Sequence, residues 1–238
     1  MVELSIIFPA YNEVDRIGKT LHLFSNYLNK KGIIYELIIV DDGSTDETVN
    51  FVKKLQKKIP AIIVIPTIKN YGKGHAVRIG MLQSKGKIRL FSDADGSTPI
   101  ECIDKVIAPI INGDYDISIG SRYLKDSELD RVQPFIRKMW SNFANAIIRK
   151  YFIPGIYDLH CGFKAFKAQA AIDIFSKCII NGWTFDIEVL GIARNLKFKI
   201  TEVPVKWSND ERSKGSFLHL PKEIYSLLKI KKQLQKYK

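Results

Sequence analysis

Long apolar runs are missing from this chain of 238 residues. No stretch reaches the roughly 18 consecutive apolar residues that a membrane-spanning helix needs. The opening MVELSIIFPAYNE has neither the basic start nor the long apolar core of a signal peptide. These absences argue against a secreted or membrane-spanning protein and predict a cytoplasmic one.

Cysteine and acidic residues are also scarce. The three cysteines, Cys102, Cys161 and Cys178, are widely spaced and form no CxxC pattern. This argues against a disulfide framework and a zinc site, and it fits a reducing compartment. Lysine and arginine number 37 against 25 aspartate and glutamate residues, a formal net charge of +12. Such a charge predicts an anionic partner, which is a nucleic acid, a phosphorylated ligand or a membrane surface.

What the sequence does contain is a regular alternation of apolar runs and amphipathic stretches. The first half predicts strands at 4–10, 35–43, 61–67, 87–95 and 115–123, with helices at 13–31, 45–58, 72–84 and 99–112. The second half predicts helices at 131–152, 170–178, 183–195 and 217–238, and strands within 158–167 and at 199–207. Strands that alternate with helices predict an α/β fold with a mostly parallel sheet.

Polar, charged or glycine residues follow each of the first five strands. These clusters read PAYNE, DDGSTD, NYGKG, DADGS and GSRY. The carboxyl ends of parallel strands share one edge of the sheet, where ligands bind in such folds. Five clusters at one edge predict a concave binding site.

Two of these residues, Asp93 and Asp95, raise a question of charge, because carboxylates so close together repel each other. On an extended segment their side chains are expected to point the same way. Oxygen ligands of this kind suit Mg²⁺ or Mn²⁺, which would leave its other positions to phosphates and water. We predict such a metal at Asp95. The alternative is a solvated turn in which Ser97 caps the following helix.

In this order and spacing, PAYNE, VDDGSTDET, KGHAVRIG, DADGSTP and GSRY resemble the family-2 glycosyltransferases of GT-A fold. In the second half, DLHCGFKAF, WTFDIEVL and EVPVKWSNDERSKGS resemble the polyprenyl-phosphate sugar synthases, most closely those that make dolichyl-phosphate glucose. The resemblance runs from residue 4 to 216. It implies one GT-A domain over 1–238, with a nucleotide-sugar-binding half (1–125), an acceptor half (126–216) and a basic amphipathic C-terminal helix (217–238).

The first two clusters of this family hold the nucleotide. By resemblance, Pro9, Tyr11 and Glu13 line the base and ribose, and Asp42 accepts a hydrogen bond from the uracil imide. A base N–H and a ribose diol both favour carboxylate acceptors. The alternative for Asp42 and its neighbour Asp41 is helix capping.

The resemblance also assigns the diphosphate and metal side of the donor. Asp93 would reach the ribose or uridine and Asp95 the metal, while Ser97 stands where the family often has a glutamine and would be a weak ligand. Lys73 begins a helix, which favours anions, and the glycines around it would permit close backbone approach. Lys214 resembles a loop residue that closes on the donor. The alternatives are a solvated lysine and a plain polar loop.

The implied acceptor is a polyprenyl phosphate, which is already ionised near pH 7 and needs no general base. The enzyme must then supply positioning and positive charge. Arg122, Arg131 and Arg137 are expected to grip the acceptor phosphate, because the guanidinium fork matches phosphate oxygens. Asp158 resembles an aspartate that this family places near the reacting centre. Together with the metal residue Asp95 and the phosphate ligand Arg122, it completes the set of expected catalytic residues. The alternatives are a structural salt bridge for Arg122, a solvated helix face for the other arginines and a turn for Asp158.

The implied reaction is inverting transfer of glucose from UDP-glucose to a polyprenyl phosphate, which gives a β-linked product for glycan assembly. GDP-mannose as donor and a glycan as acceptor remain alternatives, and the second would need a catalytic carboxylate. The DDG and DAD clusters argue against nucleic-acid binding.

The last stretch, KEIYSLLKIKKQLQKYK, has six lysines against one glutamate and is expected to lie peripherally on the inner face of a membrane, or else to pack on the sheet. Trp183 and Trp207 are expected in the core.

Overall fold

The structure, a computed structural model, describes residues 1–129, 153–208 and 220–237. Its strands are β1 (Leu4–Ala10), β2 (Tyr35–Asp41), β3 (Ile62–Pro66), β4 (Ile88–Ser92), β5 (Ile117–Ser121), β6 (Glu128–Leu129), β7 (Phe163–Lys167), β8 (Ile200–Pro204) and β9 (Lys206–Trp207). Its helices are α1 (Ile17–Lys30), α2 (Thr48–Gln56), α3 (Lys73–Gln83), α4 (Cys102–Ile111), α5 (Ala168–Phe175), α6 (Phe185–Asn195) and α7 (Leu220–Leu234), followed by a 3₁₀ turn at Gln235–Tyr237.

Seven strands form one sheet in the order β3-β2-β1-β4-β7-β5-β8. All neighbours pair in parallel except β7, which runs antiparallel between β4 and β5. The predicted α/β fold with a mostly parallel sheet is therefore confirmed. Because β7 runs in the opposite direction, its first residue rather than its last lies at the edge where β4 ends. The segment before β7, DLHCG, thereby reaches the predicted site.

The core lies on both faces of the sheet because the strands alternate apolar side chains between them. In β1, Ile6 and Phe8 face the layer formed by α1, α2 and α4. Ile7 faces the layer formed by α3, α5, α6 and α7. Strands that are apolar on both faces are covered by helices on both faces, which leaves the strand ends as the part of the sheet that is open to polar side chains.

Several element boundaries differ from those predicted. The strand expected to run to Asp95 ends at Ser92, because a turn with φ = 70° at Gly96 follows it. The helix expected from residue 13 begins at Ile17. The strand expected over 199–207 is broken at Val205, and its second piece, β9, pairs with β6 in a separate two-stranded sheet. The predicted helix at 131–152 lies outside the described residues.

None of the helices in the described ranges combines the length and the apolar character needed to cross a bilayer.

Candidate active site

The side chain of Asn12 joins the loops that follow β1 and β2. Its Oδ1 accepts the backbone N–H of Thr45 at 2.8 Å, and its own backbone N–H donates to the Ser44 hydroxyl at 2.8 Å. Asn12 adopts φ = 54°, a left-handed conformation that asparagine tolerates better than most residues. The PAYNE and DDGSTD clusters therefore lie side by side at one edge of the sheet. Sequence reasoning assigned no role to Asn12.

The three expected base and ribose residues lie at the end of β1. Pro9 belongs to the strand, and Tyr11, which follows it, is 37% exposed. The carboxylate of Glu13 pairs with Arg16, with Oε2 2.7 Å from Nε. The backbone N–H of Glu13 donates to the Thr48 hydroxyl at 2.9 Å. Glu13 thus has a fixed position and a cation beside it.

Asp42 connects the end of β2 to the start of α3. It is buried, and its two carboxylate oxygens accept the backbone N–H groups of Tyr71 at 2.9 Å and Gly72 at 2.7 Å. Each carboxylate oxygen has a second lone pair, so these bonds leave acceptor capacity for a base N–H. Beside it, Asp41 accepts the N–H of Ser44 at 3.0 Å. Neither aspartate caps α2. Asp46 accepts the N–H of Thr48, the first residue of α2, at 2.9 Å.

The space beside the two glycines around Lys73 is filled by other residues of the protein and is not open to a ligand. A Cβ on Gly72, where φ is 113°, would lie 2.4 Å from the carbonyl oxygen of Asn181, and one on Gly74 would lie 2.5 Å from the Cβ of Phe185. The carbonyl of Asn181 also accepts the N–H of Gly74 at 2.8 Å. The first turn of α3 therefore packs on the segment before α6. It presents the Lys73 side chain to the site, while the N–H of Gly74 is already bonded.

Lys73 supplies positive charge next to the paired carboxylates. Its Nζ lies 2.5 Å from Oδ1 of Asp93, which connects the start of α3 to the end of β4. Burial alone would lower the pKa of Lys73, but the carboxylates of Asp93, Asp186 and Asp95 outweigh it and raise the pKa. The lysine is therefore held in its charged form. Lys73 therefore compensates part of the negative charge of the neighbouring carboxylates Asp93 and Asp95.

Asp95 is the less compensated of the two carboxylates. Its Oδ1 accepts the backbone N–H of Ser97 at 2.9 Å, and the preceding carbonyl, that of Ala94, accepts the Thr20 hydroxyl of α1 at 2.9 Å. Burial, and then the nearby Asp93 carboxylate, raise the pKa of Asp95. A further cation at this place would stabilise the ionised form of Asp95.

Behind these carboxylates lies a buried ion pair that sequence reasoning did not identify as a pair. Nζ of Lys164, in β7, donates to Oδ1 of Asp186 at 2.6 Å and to the carbonyl of Cys161 at 2.6 Å. Lys164 is 0% exposed and Asp186 4% exposed. His160 Nδ1 lies 3.9 Å from the other oxygen of Asp186. The sequence offers one usable signal of this pair, a lysine within the otherwise apolar run GFKAF.

The same segment shapes the position of Asp93. The backbone N–H of Asp93 donates to the carbonyl of Gly162 at 3.1 Å. A Cβ on Gly162 would lie 2.0 Å from Oδ2 of Asp93, so only glycine leaves this carboxylate its place. The antiparallel strand β7 thus brings a glycine against the acidic end of β4.

Arg122 and Asp158 form the second charged pair of the site. Oδ2 of Asp158 accepts the backbone N–H of Arg122 at 2.9 Å and its Nε–H at 2.7 Å, while Oδ1 accepts from Nη2 at 2.8 Å. Asp158 is 1% exposed. Burial alone would raise the pKa of Asp158, but the bonds to Arg122 outweigh it and hold the pKa below its ordinary value. Two of the three expected catalytic residues, Arg122 and Asp158, therefore form one ion pair, which was the alternative considered for Arg122.

Aromatic rings flank the guanidinium of Arg122. Its Cζ lies 5.2 Å from the centroid of Trp207 and 5.8 Å from that of Tyr123, distances typical of cation–π contacts. Trp183 lies likewise 5.2 Å from Nζ of Lys73. Trp183 is 55% exposed, so the expectation that it lies in the core is wrong. Its neighbour Phe185 fills the core position instead.

Three expected site residues, Arg131, Arg137 and Lys214, lie outside the described residues. The described chain before Lys214 ends at Ser208, whose backbone N–H donates to the carbonyl of Ser97 at 2.9 Å. Ser208 therefore lies beside the Asp95 loop.

Within the described residues, no three histidine, cysteine, aspartate or glutamate side chains form a ready-made metal site. The donor set nevertheless fits a hard divalent cation that takes few protein ligands and completes its shell with phosphate oxygens. Three carboxylates, those of Asp93, Asp95 and Asp186, act on the Lys73 ammonium group, and a second ammonium group, that of Lys164, pairs with Asp186. One negative charge is left over, and the raised pKa of Asp95 marks where it is least compensated.

Comparison with known proteins gives consistent results. Residues 5–175 match the family model described as Glycosyl transferase family 2. The chain is 35% identical over 243 residues to the dolichyl-phosphate beta-glucosyltransferase of Drosophila melanogaster, which covers 95% of this chain and 74% of that protein. It is 36% identical over 238 residues to the protein of the same name from Dictyostelium discoideum, with coverages of 94% and 73%.

Among solved structures, the fold is similar to that of glucosyl-3-phosphoglycerate synthase from Mycobacterium tuberculosis in complex with Mn²⁺, UDP-glucose and phosphoglyceric acid. The TM-score is 0.66 at 17% identity, over 96% of this chain and 79% of that one. At this level of identity the likeness concerns the fold alone.

Proposed function

The chain belongs to glycosyl transferase family 2, and we propose that it transfers glucose from UDP-glucose to a polyprenyl phosphate of the dolichyl type. The GT-A fold and the family that the motifs predicted are confirmed. The names of its relatives, dolichyl-phosphate beta-glucosyltransferases, support glucose as the sugar and dolichyl phosphate as the acceptor. The product would carry a β-linkage, formed with inversion from an α-linked donor.

The state of Asp158 is the observation that carries the proposal for the acceptor. A sugar hydroxyl acceptor needs a general base, and Asp158 was the candidate. This carboxylate is buried, is bonded to Arg122 through both oxygens, and has a pKa below its ordinary value. It is therefore a poor proton acceptor. A phosphate acceptor needs no base, so the arrangement favours a polyprenyl phosphate over a glycan.

Arg122 suits the role of acceptor-phosphate ligand. Its guanidinium has five N–H donors, of which Asp158 accepts two. The remaining donors are available to phosphate oxygens, and the pairing fixes the orientation of the fork. We propose that Arg131 and Arg137 add further positive charge to this grip.

On the donor side, we propose that Pro9, Tyr11, Glu13 and Asp42 bind the uridine, and that Asp93 bonds the ribose. Lys73 would then pair with the diphosphate, and Lys214 would add a second cation. These roles place cations at the phosphates and carboxylates at the hydroxyl and N–H groups, as the chemistry of each requires.

Asp95 and Ser97 would hold Mg²⁺ or Mn²⁺. When bound, the metal supplies compensating charge for the departing diphosphate. The residues of the chain itself position the two reactants. Arg122 orients the acceptor phosphate, and Lys73 neutralises part of the donor charge, so that two anions can approach each other.

A donor panel tests this proposal. Purified protein would be incubated with UDP-glucose, UDP-N-acetylglucosamine or GDP-mannose, Mg²⁺ or Mn²⁺, and either a short polyprenyl phosphate or a glycan acceptor. We expect transfer from UDP-glucose to the polyprenyl phosphate, loss of that transfer in chelator, and loss in Asp95→Ala by at least about 100-fold. Transfer to the glycan alone, or undiminished activity of Asp95→Ala, would refute it.

We also propose that the outer face of α7 contacts an anionic membrane. Ile230 and Leu234 are buried against the core, as the packing alternative required. Tyr225 and Leu228 are 58% and 62% exposed. Four exposed lysines share the rest of the helix and its end: Lys229, Lys231, Lys232 and Lys236. An amphipathic surface of this composition favours anionic headgroups.

Changing these four lysines to glutamine is expected to weaken binding to phosphatidylserine vesicles. At about 1 kcal/mol per cation, the partition coefficient at low salt falls roughly 100- to 1,000-fold in a co-sedimentation assay. The matched control changes four exposed lysines of the opposite layer, Lys53, Lys54, Lys57 and Lys58, to glutamine. If both variants lost vesicle binding equally, the net charge of the protein, and not the surface of α7, would account for the binding.

A further inference from the structure

Glu202 lies in the edge strand β8 and reaches the turn that carries Asp158. It pairs in register with Ile119 of β5, the strand that leads into Arg122. Its Oε2 accepts the backbone N–H of Tyr157 at 2.7 Å, and its Oε1 accepts the backbone N–H of Asp158 at 2.8 Å. Both carboxylate oxygens of Glu202 thus bind the backbone at one point. Neither the motifs nor the proposed chemistry assigned this residue a task.

These bonds begin a chain of contacts that ends at the proposed acceptor ligand. Glu202 holds the backbone of Asp158, and the Asp158 carboxylate holds Arg122 by three hydrogen bonds. A carboxylate that accepts backbone N–H groups forms charge-assisted bonds, which are shorter and stronger than neutral ones. Arg122 therefore takes its orientation from two acidic residues in series, and only the nearer one touches it.

We infer that Glu202 is a positioning residue for Arg122, and through it for the acceptor phosphate. The inference rests on the proposed function of Arg122. Without Glu202, the turn at 157–158 loses the two hydrogen bonds that attach it to β8. Because Asp158 is bonded to Arg122, a shift of Asp158 would also shift the Arg122 guanidinium. Misplacement of a phosphate ligand by about 1 Å is enough to lower turnover strongly. The described donor residues lie on or directly after β1, β2 and β4 and at the start of α3, and the bonds that hold Glu13, Asp42 and Lys73 do not involve residues 157–158.

The test uses Glu202→Gln and Glu202→Asp. Glutamine keeps one acceptor oxygen but turns an N–H donor toward a backbone N–H, and aspartate keeps the charge but is one methylene too short to reach both. We expect both variants to lose roughly 10- to 100-fold in kcat/KM for a short polyprenyl phosphate. The Kd for UDP, measured by titration calorimetry with Mn²⁺, should stay within about twofold of the unsubstituted protein, which also shows that the variants are folded.

Glu36→Gln is the matched control. Glu36 is also a strand glutamate that anchors a loop, since its Oε1 accepts the backbone N–H of Lys85 at 2.6 Å and the Ser5 hydroxyl at 2.5 Å. It lies near the start of β2, at the edge of the sheet opposite the site. This control should keep its acceptor kinetics. An equal loss in Glu36→Gln would show a general structural effect and overturn the inference.

A second readout does not depend on activity. The Nε–H proton of Arg122, bonded to Asp158 at 2.7 Å, should exchange slowly with solvent in an NMR spectrum of the unsubstituted protein and of Glu36→Gln. It should exchange at least about tenfold faster in both Glu202 variants. Unchanged exchange, or full activity of Glu202→Asp, would overturn the positioning role. If the proton responds as expected but no polyprenyl phosphate is used, the proposed function fails and the positioning of Arg122 stands.

Discussion

Replacing Lys164 with methionine is expected to lower the free energy of unfolding by about 3–5 kcal/mol. Lys164 is 0% exposed, and its ammonium group lies 2.6 Å from Oδ1 of Asp186, which is 4% exposed. The substitution keeps the volume but leaves a buried carboxylate without its direct partner, which costs far more than the pair itself contributes. Urea unfolding followed by circular dichroism measures the change.

Two further variants show whether burial of the charge is the cause. Lys167→Met removes a lysine from the same strand, but Lys167 and its partner Asp116 are 37% and 26% exposed, and the loss should stay near or below about 1 kcal/mol. Lys164→Met combined with Asp186→Leu removes both charges and should recover most of the stability. A single Lys164 variant as stable as the Lys167 variant would contradict the explanation.

This buried pair also marks a limit of what the sequence predicts. The strands β1 and β2 follow from continuous apolar runs, because a strand covered on both faces has no polar side to interrupt it. Lys164 interrupts such a run, and its partner stands 22 residues away on a helix. Nothing in local periodicity indicates that a lysine is paired inside the core. The pairing depends on where β7 enters the sheet, between β4 and β5.

The sequence predicts where the acidic end of β4 lies, but it predicts only some of the residues that contact it. Periodicity placed Asp93 and Asp95 at the carboxyl edge, and the structure ends β4 just before them. The NYGKG cluster gave Lys73 as a site residue, and Lys73 does meet Asp93. The role of its glycines was not predictable, because a glycine that admits a ligand and one that admits a neighbouring backbone look alike in sequence. Here the neighbour is Asn181, more than 100 residues away.

The second pair of the site, Arg122 with Asp158, depended on the same kind of non-local contact. Each was a candidate by itself, with separate alternatives of a salt bridge and a turn. Their motifs, GSRY and DLHCGF, are separated by 36 positions, and sequence periodicity does not measure distance between loops. With the pair known, we propose different roles for its members: Arg122 binds the acceptor phosphate, and Asp158 holds Arg122 in place.

Removing this pair together is expected to abolish most of the acceptor chemistry without unfolding the protein. Arg122→Gln alone would leave Asp158 buried and unpaired, so the test variant combines it with Asp158→Asn. Loss of a charge-assisted phosphate ligand costs about 2–4 kcal/mol, which lowers kcat/KM for the polyprenyl phosphate roughly 30- to 1,000-fold. Single-turnover transfer of glucose from UDP-glucose measures it, and the Kd for UDP should stay within about twofold.

The control for this double variant removes another pair of opposite charges. Lys31, directly after α1, and Asp104, on α4, lie 2.6 Å apart, and their side chains are 45% and 42% exposed. Lys31→Gln with Asp104→Asn leaves the net charge unchanged, as the test variant does, and should leave transfer within about twofold of the unsubstituted protein. If the Arg122 and Asp158 double variant also transferred glucose at that rate, the acceptor phosphate would have to be bound by other cations. A donor Kd that rose together with the loss of transfer would mean that the pair supports the whole site, and the division between donor and acceptor residues would be wrong.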